Sequence, residues 1–306
     1  MVHLNLEFPE HFFEEEIRDG YTVPAKMKEV WAVELDLLNE LMQVCKKHHV
    51  KYYAAGGTML GAIRHHGMVP WDDDIDVMLP RQEFDRLCEI APIEFSHPYF
   101  FQTEDTDPGS YRGHAQLRNS ETTGILASGY DDKRQINQGI FIDIFPLDNV
   151  PDDEVLRTRF YIRLKRLRRK YHGFVDRSLQ RHYKRRTNWI KNLYNDLWYK
   201  FPLLASKVAK WYYSRFLKES MVCNRDDTLD VVMTPFYEAR WTWSRRCFES
   251  QVEVPFEMLT IPVPSAYEVM LEKTYGDWQK FVVGGSVHGG VIFDTNRPYT
   301  EYIKEQ

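Results

Sequence analysis

Apolar side chains recur at intervals of three and four between residues 26 and 49, which is the spacing of one helix face. These residues are Val30, Val33, Leu37, Leu38, Leu41, Met42 and Cys45. The pattern predicts an amphipathic helix. A short apolar run at residues 52–55 then predicts a strand that leads into a turn at Gly56-Gly57. Residues 58–66 are predicted to form a short helix after that turn.

Runs of β-branched and aromatic residues predict the remaining strands. The predicted strands are residues 75–79, 99–102, 115–118, 124–126, 139–145 and 252–261, and further helices are predicted at 81–90 and 265–275. The run at 139–145, Gly-Ile-Phe-Ile-Asp-Ile-Phe, is strongly β-prone and is closed by Pro146. Asp143 is the single charged residue in this run, and charged residues are almost never fully buried without a partner.

Strands that alternate with helices predict a mixed α/β fold of the α+β type, with helices on a mixed sheet. We predict four parts: an N-terminal arm at residues 1–25, a catalytic core at 26–150, a helical insertion at 151–250, and a C-terminal segment at 251–306 that packs back on the core. Pro9 and Pro24 limit regular structure in the arm, which we therefore expect to be irregular.

Composition and charge narrow the class of protein. The chain has 306 residues and a net charge of −5, from 40 basic and 45 acidic residues, so we expect no nucleic-acid partner. The four cysteines form no CxxC pair, which argues against zinc and disulfide frameworks and favours a reducing compartment. The sequence shows neither a signal-peptide pattern nor an apolar run of about 18 residues. We therefore predict a cytoplasmic protein.

Residues 152–218 are predicted to be helical and are strongly basic, with eight Lys and Arg between Arg157 and Lys170. Two interpretations of this stretch stay open. In the first, the stretch is a solvated helical face. In the second, residues 157–191 form a surface that binds an anionic acceptor or the inner face of the membrane.

Four aspartates close the segment that follows the Gly-Gly turn: Asp72, Asp73, Asp74 and Asp76. Asp74 and Asp76 alternate with apolar residues, so on a strand their side chains project side by side. Two adjacent carboxylates repel one another unless a cation lies between them, and a hard divalent ion suits them. We predict a Mg2+ site here, with a solvated acidic turn or a calcium loop as alternatives. An EF-hand is disfavoured because Val77 falls where that loop requires glycine.

A phosphate site is predicted beside the acids. Gly56 and Gly57 let the backbone approach a ligand, and the helix beginning near Thr58 presents unpaired N–H groups to a phosphate. If the strand of Asp143 neighbours that of Asp74 and Asp76, three carboxylates converge on one or two Mg2+ ions, with Mn2+ as an alternative. The alternative for Asp143 is a strand-end acid paired with an arginine.

Three stretches resemble the motifs of the LicD family. The first is Gly-Gly-Thr-Met-Leu-Gly-Ala-Ile-Arg-His-His-Gly-Met-Val-Pro-Trp-Asp-Asp-Asp-Ile-Asp at residues 56–76. The second is Phe-Ile-Asp-Ile-Phe-Pro-Leu-Asp at 141–148, and the third joins Pro-Val-Pro at 262–264 with Tyr-Gly-Asp-Trp at 275–278. The basic stretch and the N-terminal arm match nothing in that family.

The resemblance implies a nucleotidyltransferase-like fold. It also implies an enzyme that moves a phospho-substituent from a CDP-alcohol donor to a hydroxyl of a cell-surface glycan, teichoic acid or lipopolysaccharide precursor. The acceptor would be a free or a lipid-linked glycan. Phosphocholine from CDP-choline is the best known case, and the fukutin group uses CDP-ribitol. The resemblance implies that Asp74 and Asp76 are metal ligands and that Asp143 is a ligand or the base for the acceptor hydroxyl. Arg118 and the nearby Thr122 and Thr123 resemble a family segment near the donor.

Further substrate-binding candidates each carry an alternative. Arg64 contacts a phosphate or forms an ion pair with the aspartates. Trp71 stacks on a base, lines a choline site by cation–π contact, or packs in the core. His288, in the glycine-rich loop at 284–290, resembles a histidine near the family's C-terminus, and a plain loop histidine is the alternative. Arg297 is a further phosphate candidate, and only one of the adjacent His65 and His66 can face the site.

Two other functions stay open at this point. One is a true nucleotidyltransferase that moves NMP from an NTP to a hydroxyl. The other is a catalytically inactive module that binds glycan or membrane. The three acids at Asp74, Asp76 and Asp143 argue against an inactive module, because nothing would hold such costly residues together.

Overall fold

The computed structural model describes residues 1–126, 135–180, 189–226, 228–284 and 290–304, and for Lys191 and Lys304 it describes the main chain only. The helices of these ranges are α1 (Ala25–His48), α2 (Gly56–Arg64), α3 (Arg81–Glu94), α4 (Glu154–Ser178), α5 (Trp189–Tyr199), α6 (Pro202–Ser220), α7 (Tyr267–Tyr275) and α8 (Tyr299–Lys304). The strands are β1 (Glu16–Arg18), β2 (Tyr21–Val23), β3 (Tyr53–Ala54), β4 (Asp76–Pro80), β5 (Tyr99–Gln102), β6 (Ala115–Asn119), β7 (Thr123–Leu126), β8 (Ile140–Asn149), β9 (Val231–Met233), β10 (Thr242–Ser244), β11 (Gln251–Phe256), β12 (Leu259–Pro264) and β13 (Val291–Asp294). The predicted mixed α/β fold is confirmed.

Strand β8 is the centre of the main sheet. It pairs in parallel with β4 and antiparallel with β6, and its last two residues pair antiparallel with β9. Beyond these neighbours lie β3 next to β4, β5 next to β6, and β10 next to β9. All but the last residue of β8 are buried, which explains why its sequence is a continuous apolar run rather than an alternating one.

Among the element boundaries that differ from the sequence-based prediction, two concern β8 and α2. Strand β8 continues past Pro146 to Asn149, because Pro146 lies in register with Leu79 on β4 and the missing N–H costs at most one ladder bond. Helix α2 begins at Gly56 instead of residue 58, so the two glycines form its first turn rather than a separate turn before it.

Residues 1–15 of the arm are irregular as predicted, but residues 16–23 form a hairpin, and so does the predicted single strand at 252–261. Strands β1 and β2 pair through residues 16–23, and β11 and β12 pair on either side of a turn at Glu257. Glu257 adopts a left-handed backbone (φ 54°), and its carboxylate accepts hydrogen bonds from Arg18 Nη1 (2.5 Å) and from the Met68 N–H (2.9 Å). This acid therefore joins both hairpins to the loop that precedes the aspartates.

The basic stretch forms α4, α5 and α6, which bury an apolar core of their own. Leu164, Tyr171, Ala209 and Phe216 are among its fully buried side chains. Asp153 caps the N-terminus of α4, and its carboxylate accepts a hydrogen bond from the Leu156 N–H at 2.8 Å. After α6 the chain returns to the main sheet as β9 and β10, so the part of the chain expected to be a helical insertion also supplies two strands.

An ion pair between α3 and β8 provides a stability test at the end of the parallel strands. Arg81 donates from Nε and Nη2 to the two carboxylate oxygens of Asp148 at 2.7 and 2.8 Å, with both side chains largely buried. Arg81→Met should lower the free energy of unfolding by about 3–5 kcal/mol, because it leaves a buried carboxylate without its cation. Urea denaturation measures this, with the exposed Arg86→Met on the same helix as the control. A loss no larger than that of the control would contradict the prediction.

Candidate active site

The site lies where two parallel strands begin to pair. Asp76, the first residue of β4, is in register with Asp143 of β8, and Asp143 is in register with Gln116 of β6. Residues in register on neighbouring strands project from the same face of a sheet. The three side chains therefore form one row across three strands, and Gln116 Nε2 donates to Asp143 Oδ1 at 2.6 Å.

Three carboxylates converge at this row. Asp74, which immediately precedes β4, Asp76 and Asp143 each place one carboxylate oxygen within 4.8 Å of the others. Neighbouring oxygens around one Mg2+ ion lie about 3 Å apart and opposite oxygens about 4 Å apart. Asp72, Asp73 and Asp74 form a second group of the same dimension. The donor set is all carboxylate oxygen, which fits Mg2+ or Mn2+ and not a thiolate- or imidazole-seeking metal.

Electrostatics also fit a divalent cation. Burial and the negative charges of Asp72 and Asp143 raise the pKa of Asp74 well above its ordinary value. Burial and the charge of Asp74 raise the pKa of Glu34, a fully buried residue of α1. In both cases the crowding of negative charge penalises the ionised form, and a cation among these oxygens would relieve that penalty.

Asp143 is held in its ionised form by its neighbours. Burial acts to raise its pKa, but the charge and hydrogen bond of His114, the charge of Arg112 and the hydrogen bond of Gln116 together lower the pKa to about 2. His114 Nε2 lies 3.0 Å from Oδ1, the same oxygen that accepts from Gln116. Both bonds thus fix one carboxylate oxygen. Neither His114 nor Gln116 was identified from the sequence.

Arg118 lies beneath the site and not on its surface. It is 1% exposed, and its guanidinium donates to Gln102 Oε1 at 2.7 Å, to the Gly139 carbonyl at 2.6 Å and to Gln116 Oε1. Arg118 thereby orients Gln116, which in turn bonds to Asp143. Its role next to the donor stays a prediction.

The Gly-Gly segment packs directly against the acids. A Cβ on Gly57 would overlap the Asp72 carboxylate, and Gly56 (φ 50°) would bring a Cβ to 3.2 Å from Asp76 Oδ2. Thr58 Oγ1 accepts a hydrogen bond from the Asp76 N–H at 2.8 Å. Glycines are needed here because the N-terminus of α2 approaches the aspartates closely. The role of the α2 N-terminus as a phosphate site stays a prediction.

Two aromatic side chains near this helix terminus were not identified as site residues. Trp241 and Tyr275 lie 3.7 and 3.8 Å from the position of a Cβ on Gly56. Burial, and after it the charge of Asp76, raises the pKa of Tyr275. Tyr275 belongs to the third sequence motif. That motif therefore contributes to the site, but the sequence does not indicate which of its side chains lies there.

Arg64 and Trp71 make structural contacts next to the site. Arg64 Nη1 donates to the Trp278 carbonyl at 2.9 Å and its guanidinium lies over the Phe281 ring. It therefore anchors the segment after α7 instead of forming the expected ion pair with the aspartates. Trp71 is half-buried and packs edge-on against Tyr21 and Phe281, so the core-packing alternative describes its present contacts.

The two adjacent histidines take different positions. His65 Nδ1 lies 2.6 Å from Asp19 Oδ2, and burial lowers the pKa of His65. His66 is exposed, with a left-handed backbone (φ 54°). His65 is therefore tied to the arm.

The remaining candidates lie along the edge formed by β7 and β13. Thr122 is fully buried, donates to the Asn119 carbonyl (2.8 Å) and accepts from the Ile140 N–H (2.9 Å). Thr123 donates to the Arg297 carbonyl at 2.8 Å, while the Arg297 guanidinium pairs with Glu301. His288 lies outside the described residues.

The His114 contact gives a prediction about ionisation. Replacing His114 by Leu should raise the pKa of Asp143 above about 2, because the variant loses the charge and the hydrogen bond of His114 while the effect of burial remains. The stability that Asp143 contributes is present above its unfolded pKa and is lost as the pH falls through about 2, so the variant should lose that contribution. Carbon-13 NMR of Asp-labelled, metal-free protein measures the pKa directly, with the exposed His97→Leu as the control. An unchanged Asp143 pKa would contradict this account.

Fold and site together define a mixed α/β protein with a carboxylate triad at the start of two parallel strands. Residues 49–172 match the family model described as LicD/FKTN/FKRP, nucleotidyltransferase domain, so the chain contains a LicD-family domain. The chain is 25% identical over 265 residues, 83% of its length and 91% of the relative's, to the lipopolysaccharide cholinephosphotransferase LicD of Haemophilus influenzae. A 56-residue stretch, 18% of the chain, is 36% identical to part (21%) of an uncharacterized protein of Rickettsia prowazekii. The predicted resemblance to the LicD family is confirmed for residues 49–172.

Proposed function

We propose that this protein transfers a phosphocholine-like group from a CDP-activated donor to a hydroxyl of a cell-surface glycan, teichoic acid or lipopolysaccharide precursor, and releases CMP. The observation that carries the proposal is the convergence of Asp74, Asp76 and Asp143 inside a LicD-family domain. The similarity to a cholinephosphotransferase supports the choice of donated group.

Asp74, Asp76 and Asp143 would hold one or two Mg2+ ions, with Mn2+ as a substitute. A bound Mg2+ ion neutralises a diphosphate and lowers the pKa of an attacking hydroxyl. The low pKa of Asp143 keeps its carboxylate ionised, so we assign it as a ligand and not as the base. Asp74 and Asp76 would complete the ligand set, and a carboxylate oxygen of Asp74 that is not on the metal would accept the proton of the acceptor hydroxyl.

The reaction would be a single displacement. The acceptor oxygen forms a bond to the phosphorus that bears the donated group, and the bond from that phosphorus to the oxygen of CMP breaks. The amides of Gly56, Gly57 and Thr58 would hold the donor phosphates at the N-terminus of α2. Trp241 and Tyr275, beside the same helix end, would face the donated group, and aromatic faces suit a quaternary ammonium.

A binding screen tests this function before any acceptor is known. With Mg2+ present, a CDP-alcohol at about 100 times its Kd stabilises a protein by about 2.7 kcal/mol. For a chain of this size that raises Tm by about 5 °C or more. We expect CDP-choline to produce such a shift, with CDP-ribitol and related CDP-alcohols as competitors, and EDTA to abolish it.

The same screen separates the second candidate function. The family model's description as a nucleotidyltransferase domain favours transfer of NMP from an NTP. Stabilisation by an NTP and by none of the CDP-alcohols would support that reaction and contradict ours.

A further inference from the structure

Charge is strongly segregated along this chain. Residues 154–220 contain 19 Lys and Arg against 4 Asp and Glu, a net charge of +15. The rest of the chain contains 21 basic and 41 acidic residues, a net charge of −20. The near-neutral total therefore conceals one strongly cationic part, which coincides with helices α4 to α6.

Helix α5, which lies in this cationic part, has an apolar face that does not pack on the neighbouring helices. Its exposed large side chains are Trp189 (70%), Ile190 (59%), Leu193 (61%), Tyr194 (48%) and Leu197 (54%). At 100° per residue these five positions span about 140° of the helix circumference, which is a single face.

The other face of α5 packs on α4. The Trp198 ring contacts Phe174 edge-on with centroids 4.9 Å apart, and Asn195 Oδ1 accepts a hydrogen bond from Arg177 at 2.5 Å. The helix is therefore docked by its inner face, and its outer apolar face stays exposed in the described part of the chain.

The apolar surface continues into the start of α6. Phe201, Leu203 and Leu204 are 52%, 82% and 50% exposed, and they line an open cavity of about 380 Å3 with Lys200, Pro202 and Lys207. One turn further on, Lys210 is exposed beside Trp211, which is 55% exposed. Lysines thus flank the exposed leucines and aromatics on the same short segment.

We propose that residues 189–211, the α5–α6 surface, lie on an anionic lipid bilayer with the apolar side chains in the headgroup and acyl boundary. Leu, Trp and Tyr on one helix face, flanked by Lys, are the composition of helices that lie in a membrane interface. Among the described helices none is long and apolar enough to cross a bilayer. The cationic charge of residues 154–220 complements the negative surface of such a membrane.

Other occupants fit this surface less well. A second copy of the chain would bring lysines near lysines around a shared apolar centre, whereas anionic lipid headgroups neutralise them. A nucleic acid would satisfy the lysines, but its phosphates gain nothing from Leu193, Leu197 and Leu203. Only a bilayer uses both features. This inference does not depend on the proposed chemistry.

Vesicle flotation of the full chain tests the proposal. Vesicles of phosphatidylcholine with roughly one-third phosphatidylglycerol are compared with phosphatidylcholine alone, at low and moderate salt. We expect binding to the anionic vesicles and weaker binding to the neutral ones. The triple variant Leu193→Gln, Leu197→Gln, Leu203→Gln should bind about 100-fold more weakly. Lys207→Gln with Lys210→Gln should weaken binding about 30-fold, since each basic residue near an anionic surface contributes roughly fivefold.

Matched controls separate this surface from general stickiness. Ile17→Gln, Ile93→Gln and Val269→Gln remove apolar side chains of similar exposure (76%, 84% and 62%) outside the α5–α6 surface and should leave binding unchanged. Vesicle binding that survives the triple leucine variant would overturn the proposal. Absence of vesicle binding would also overturn it, in particular if ultracentrifugation shows that the wild-type chain is dimeric and the leucine variant monomeric. Retention on RNA without binding to vesicles would overturn it as well.

Discussion

Asp74→Asn should lower the rate of transfer by about 10³-fold or more and, in the metal-free protein, raise the free energy of unfolding. The first effect follows from losing one of three converging carboxylates, because metal-assisted charge neutralisation supplies several kcal/mol of transition-state stabilisation. The second follows from the raised pKa of Asp74, which means that its negative charge opposes folding. Asp105→Asn, at an exposed aspartate, is the matched control and should change neither quantity.

The pH dependence of Asp74 has a definite sign. Its folded pKa lies above its unfolded value, so wild-type stability should fall as the pH rises through the interval between the two. Asp74→Asn should remove that fall. Thermal unfolding of wild type and variant across the acid range, in EDTA, measures this difference in stability. A variant that is less stable than wild type at neutral pH would contradict the claim that crowded negative charge at Asp74 opposes folding.

Arg118→Met should destabilise the protein by about 3–5 kcal/mol and also abolish most activity. It removes the donors to Gln102 Oε1, to the Gly139 carbonyl and to Gln116 Oε1, and buried acceptors left without donors cost about 1–3 kcal/mol each. Gln116 would then lose the partner that orients it toward Asp143. Urea denaturation gives the stability and CMP release gives the activity.

The control and the rescue for Arg118 distinguish orientation from mere packing. Arg159→Met removes an exposed arginine of α4 and should be neutral. Arg118→Lys should restore little of the stability or the activity. One ammonium group cannot reach all the acceptors that the planar guanidinium of Arg118 reaches in several directions. Full activity in a folded Arg118→Met protein would mean that Gln116 needs no orientation.

The position of the acids could be predicted from sequence, but the side chains that support them could not. Asp143 interrupts an apolar run, Asp74 and Asp76 alternate with Ile75 and Val77, and the strands that follow or contain these acids carry strong β patterns. That β4 and β8 would be neighbours in register is a tertiary fact that no local pattern contains. One available signal was overlooked: in His114-Ala-Gln116-Leu-Arg118 the polar residues alternate, which indicates one polar face of a strand.

Two further differences arise where local signals are weak. The turn between β11 and β12 contains Glu257 and Met258 and neither Gly nor Pro, so no turn signal separates the two strands and the pattern predicts a single one. The composition of residues 154–220 hides the apolar face of α5, because most of the basic residues lie between 157 and 186, before that helix. Composition leaves a solvated face or an anionic partner open there, and the packing of Trp198 on α4 identifies which face of α5 is left exposed.

The central claim is that the three acids serve transfer from a CDP-alcohol. Its most direct test is mass spectrometry of the products formed from CDP-choline, Mg2+ and a lipopolysaccharide or teichoic acid acceptor, for wild type and for Asp143→Asn. We predict equal amounts of CMP and phosphocholine-modified acceptor from wild type, and neither from the variant. Equal yields from both proteins, or products formed only from an NTP with release of pyrophosphate, would contradict the account.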